Sequence, residues 1–134
     1  MTITVKPDLL EQLRTALAHL PDALGALDTL AACEGDLEDA AISVAIQVGQ
    51  EPDISDRWIE GLAKRWRHII CQPEIKVVLQ SPLTAVGIQQ LASATRLPLK
   101  LATLVAIYVQ QIEVQDFCYS FEASWAREHG FPSE

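Results

Sequence analysis

Glycine and aromatic residues are both scarce: six Gly in 134 residues, and 6% Phe, Trp and Tyr. The apolar content is therefore mostly Leu, Ala, Val and Ile, which favours packed helices over a sandwich or barrel. Long hydrophobic runs are missing too. The longest near-apolar stretch, Leu97 to Val109, contains Lys100 and falls short of the ~20 residues that span a bilayer, so the chain reads as soluble, with no membrane partner. The opening "MTITVKPDLLEQL" lacks the cationic start and continuous apolar stretch of a secretory signal. Cys33, Cys71 and Cys118 are odd in number and widely spaced, which reads as reduced thiols in a cytoplasmic protein.

Basic charge is absent from a whole third of the chain. No Lys or Arg lies between Arg14 and Arg57, while Asp22, Asp28, Glu34, Asp36, Glu38, Asp39, Glu51, Asp53 and Asp56 all fall there. The net charge of −8 repels phosphate backbones and anionic lipid, which makes nucleic acid an unlikely partner. Catalytic templates are missing as well: no phosphate-cradling Gly-rich loop, no G-x-S-x-G, no H-E-x-x-H. No catalytic residue, metal ligand or cofactor is expected, although a site convergent from distant residues leaves no linear pattern.

What is present is apolar and periodic. Apolar residues make up 49% and mean hydropathy is +0.15, enough for one compact domain over 1–134. Leu9, Leu10, Leu13, Leu17 and Leu20 recur at helical steps from Pro7 to Leu20, and Pro21 ends that helix and opens the next, to Cys33. "EGDLED" supplies a stop at Gly35 and a cap at Asp36 for a helix over Leu37 to Val48. Its β-branched content also allows a strand, but the cap and the Ala residues favour the helix. A helix from Ser55 to Cys71 follows, then a short apolar piece over Glu74 to Gln80. Further helices run from Pro82 to Thr95, from Leu97 to Ile112, and from Gln115 to His129. The expected architecture is all-α, about seven short helices around a central apolar one.

"SDRWIEGLAKRWRHIICQPE", residues 55–74, holds two of the three Trp and four of the ten Lys and Arg. On a helix, Trp58, Leu62, Trp66 and Ile69 form an apolar stripe with Arg57, Lys64, Arg65, Arg67 and His68 largely off it. The expectation is a core-facing stripe with a solvated cationic face. Binding to nucleic acid would need Trp free to stack and a favourable overall field. His68 and Cys71 are too few for a structural zinc, so Cys71 is expected to be buried and inert.

"GIQQLASATRLPLKLATLVAIYV", residues 87–109, resembles the helix-turn-helix of bacterial regulators, especially the IclR-like form, through Ile88, Leu91, Ala92, Thr95, Leu97, Pro98, Ala102 and Val105. It departs from that pattern at Arg96, where Gly is usual, and in a recognition helix almost devoid of base-reading side chains. "CEGDLEDAAISVA" is similar to the second-to-third helix passage of ubiquitin-associated-type modules, a likeness that helix capping alone would produce.

These observations support a small non-catalytic helical module for protein–protein interaction, self-associating as a homodimer or other homo-oligomer. A DNA-binding regulator or an unrecognised enzyme is the alternative. The candidate contact surface sets Arg57, Lys64, Arg65 and Arg67 against Asp36, Glu38 and Asp39, within one chain or between two.

Overall fold

The computed structural model describes residues 3–49 and 58–119. Among them lie eight helices: α1 (Pro7–Ala16), α2 (Pro21–Ala32), α3 (Leu37–Gln47), α4 (Trp58–Arg65), α5 (Arg67–Ile70), α6 (Pro73–Gln80), α7 (Ala85–Thr95) and α8 (Leu99–Ile112). A ninth helical stretch, 114–119, runs to the edge of the described residues. The fold is all-α, with more and shorter helices than the seven expected. The only pairing of extended backbone among the described residues is the bridge between Thr4 and Asp36, where Val5 N–H donates to Gly35 O and Leu37 N–H to Ile3 O.

Two kinds of start set the helix boundaries. Proline opens α1, α2 and α6, where its missing N–H costs nothing and its fixed φ suits the first turn. Asp36 and Thr84 cap α3 and α7, their side chains accepting from the Asp39 and Gly87 amides at 3.1 and 3.0 Å. Pro82 therefore precedes α7 without opening it. Between α2 and α3 the chain turns through Gly35 at φ +84°, where a Cβ would lie 2.3 Å from Val5 O, so only glycine fits.

Every residue of α8 from Leu101 to Val109 is buried, and the helix packs on α2, α3, α4, α6 and α7. Fully buried alanines on α2, α3 and α8 (Ala23, Ala26, Ala40, Ala41, Ala102, Ala106) leave room for close helix approach. Thr103, wholly buried, returns its hydroxyl to Leu99 O at 2.8 Å. Lys100 escapes the apolar surroundings by lying over Gly25 to reach Gln47 Oε1 at 3.1 Å, as long cationic side chains do at an apolar margin. Gln47 in turn donates to Thr29, so a polar thread ties α8, α3 and α2.

Two expectations are corrected. The segment expected as one helix to Cys71 breaks at Trp66, whose amide is shared between Leu62 O and Ala63 O. The break rotates the buried face to Ile59, Leu62, Ala63 and Ile70, leaving Trp58 and Trp66 half-buried, as amphipathic indoles often are. Residues 55–57 lie outside the described residues, as does the expected helix beyond residue 119.

The second correction concerns the thiols. Cys71 and Cys118 are joined in a disulfide, with Cα atoms 5.5 Å apart across a sequence separation of 47, and Cys33 alone is free. Closing a loop of that length removes unfolded-chain entropy worth about 4 kcal/mol on the chain-entropy account.

Candidate protein-interaction surface

Four of the seven expected contact residues belong to the basic segment, and the structure gives them different fates. Arg57 lies outside the described residues. Lys64 is exposed and pairs with Glu60 one turn earlier, Nζ to Oε1 at 3.0 Å, a helical arrangement worth about 0.3–0.5 kcal/mol that spends most of its charge locally. Arg67 lays its guanidinium carbon 4.5 Å from the centroid of the Phe117 ring, an attraction to the negative face of the aromatic system. Its Nε is buried without a hydrogen-bond partner among the described residues, as is the indole Nε1 of Trp66. Arg65 is exposed and forms no ion pair among the described residues.

The acidic trio is also divided. Asp36 is occupied with capping α3, and Asp39 is exposed. Glu38 turns inward, 7% exposed, and its carboxylate accepts from the backbone N–H groups of Trp58 and Ile59 at 2.6 Å each. The acidic region does reach the basic helix, but at its N-terminal amides rather than at Arg65 or Arg67; those amides carry the positive end of the helix dipole. Burial pushes the Glu38 carboxyl above its ordinary range, with the amide bonds pulling the other way and the nearby Asp36 charge adding to the rise. Tyr108 of α8, 7% exposed, is pushed up to about 12 by burial and by the charges of Glu60 and Glu38, with Arg67 opposing. Among the described residues no ion pair joins Arg65 or Arg67 to Asp36 or Asp39.

A groove of about 380 Å³ opens between the α4–α5 elbow and the α7–α8 corner. Leu62, Ala94 and Leu97 supply its apolar lining, Trp66 one aromatic wall, and Arg65 and Arg96 its charge. Thr95 also borders it, but its hydroxyl donates to Leu91 O and accepts from Leu97 N–H, so the free polar groups are guanidinium donors. That donor set suits a carboxylate approached bidentately, beside an apolar contact.

Arg96 is the residue that reading the sequence for contacts missed, though the departure from Gly in the helix-turn-helix likeness marked it. It ends α7 in the left-handed conformation, φ 60° and ψ 20°, which costs a side-chain-bearing residue roughly 1–2 kcal/mol. The helix that the likeness would send into a DNA groove is α8, and its buried run from Leu101 to Val109 offers no face for that role.

A second groove, of about 680 Å³, runs between the C-terminal ends of α6 and α8, its lining mixing the amides of Gln80, Gln111 and Gln115 with the carboxylate of Glu113 and apolar Leu9 and Val114. Gln110 closes its floor by donating to Leu79 O and Ser81 O. Among the described residues no three His, Cys, Asp or Glu side chains gather to hold a metal ion, and no single helix is long and apolar enough to cross a membrane. The chain matches no protein-family model, no curated protein and no solved structure.

Proposed function

We propose that this chain is a small helical protein–protein interaction domain, organised around α8, that associates with itself. The groove of one copy receives the acidic corner between α2 and α3, around half-buried Asp36 and exposed Asp39, of another. A two-fold dimer makes this contact twice, groove to corner and corner to groove.

The observation that carries the reading is Arg65 and Arg96 lining one apolar groove without a carboxylate partner among the described residues, in a chain of net charge −8. Exposed pairs are worth about 0–1 kcal/mol each, so several must act together, and the association should fade as salt shortens the ~10 Å screening length of 0.1 M solution.

Arg96→Gly tests this with two readouts that move in opposite directions. Glycine accepts the left-handed backbone, so thermal stability should rise by about 1 kcal/mol. Sedimentation at low salt should meanwhile shift towards monomer. A variant that is more stable and associates as well as the parent would refute the assignment.

A further inference from the structure

We propose that the Cys71–Cys118 disulfide is a redox clasp: it fastens the helical stretch 114–119 to the α4–α5 elbow, and a dithiol reductant opens it. Two contacts join the same two segments. One is covalent, between Cys71 just after α5 and Cys118. The other is the seating of Arg67, from α5, on Phe117, the neighbour of Cys118.

The elbow needs such fastening. Helix α5 has four residues, too few to persist alone, and its helix contacts are with α4, α6 and α7. The closed form also carries a cost. Arg67 Nε is a buried donor with no partner among the described residues, and its guanidinium lies on Phe117, so opening lets water reach it. The exposure of Val114 and Phe117, both buried when closed, opposes opening. The cross-link holds one side of this balance, and its redox state sets which side prevails.

The chemistry is thiol–disulfide exchange. Cys71 is half-buried, whereas Cys118 is fully buried, so the reductant's thiolate attacks the Cys71 sulfur. The S–S bond breaks, and the Cys118 sulfur leaves as thiolate and takes up a proton. The reductant's second thiol then displaces Cys71, which is protonated in turn. Two electrons and two protons pass to the protein, and the reductant departs as its own disulfide. Trp66 walls the Arg65–Arg96 groove, so a loosened elbow weakens association; this last step rests on the function proposed above.

The test compares the full chain purified without reductant, the same chain in dithiothreitol, and the Cys71→Ser/Cys118→Ser variant. Thiol titration under denaturing conditions should find one thiol before reduction and three after. Amide hydrogen exchange over 114–119 and α5 should speed up at least tenfold on reduction, while α2 and α3 keep their rates. The dimer dissociation constant should rise severalfold. If the double variant does not fold, the reduced parent chain carries the comparison. Three thiols in the unreduced chain, or equal exchange in both states, would overturn the clasp. Faster exchange in a chain that never dimerises would uphold the clasp and overturn the groove reading instead. An unchanged dissociation constant would overturn the coupling between them.

Discussion

Glu38 is the residue whose removal tests the architecture most directly, because one side chain fastens α3 to the start of α4. Its carboxylate takes the Trp58 and Ile59 amides at 2.6 Å each. Ile59 is only 1% exposed, so its amide has no ready substitute, whereas half-buried Trp58 stands closer to water. A buried orphan donor costs about 1–3 kcal/mol, and the more accessible one falls at the low end. Glu38→Ala should therefore lose about 2–4 kcal/mol in chemical denaturation, followed by Trp fluorescence. Glu38→Gln keeps one acceptor and should fall between the two. A loss under 1 kcal/mol for the alanine variant would refute the capping role.

The pH dependence adds a sign. The folded-state carboxyl binds its proton more tightly than the unfolded one, whose ordinary value is 4.5. Between 4.5 and the raised folded value the native state holds more protons, so stability from this group decreases as pH rises. The stability of the parent relative to Glu38→Gln should decline across that window. An increase there would mean that the amide bonds outweigh burial.

Two further outcomes probe the packing. Leu104 is completely buried on α8, so Leu104→Asp should abolish the helical circular dichroism spectrum, an unpaired buried charge costing several kcal/mol; a folded variant that merely stops associating would place this helix at the surface. Gly35→Ala combines a disfavoured φ with a Cβ 2.3 Å from Val5 O and should cost about 2–3 kcal/mol in thermal denaturation. A near-neutral result would show that residues 3–5 are not held against the α2–α3 turn.

The all-helical class was legible because its signals are local. Proline at the first turn of α1 and α2, the Asp36 cap, the Gly35 stop and the leucine steps of α1 each act within a few residues, and a linear reading finds them. The Trp58–Leu62–Trp66–Ile69 stripe held in part, with Leu62 in the core and the two Trp half-buried against it; periodicity assumes an unbroken helix, and the Trp66 elbow resets the phase. The acidic and basic segments were visible as a charge asymmetry, but composition does not say whether a carboxylate meets a guanidinium or a backbone amide.

Taken alone, then, the sequence determined the helical class and, within a few residues, where α1, α2 and α3 begin, because capping, proline geometry and side-chain spacing act over one or two turns. Only the tertiary structure decided the contacts between distant positions: Glu38 on the amides of residues 58 and 59, Cys71 bonded to Cys118 across 47 residues, and Arg65 brought to one groove with Arg96. Each depends on how the helices cross, and a crossing is set by the fit of buried side chains from several helices at once. No single segment carries that fit in its own spacing.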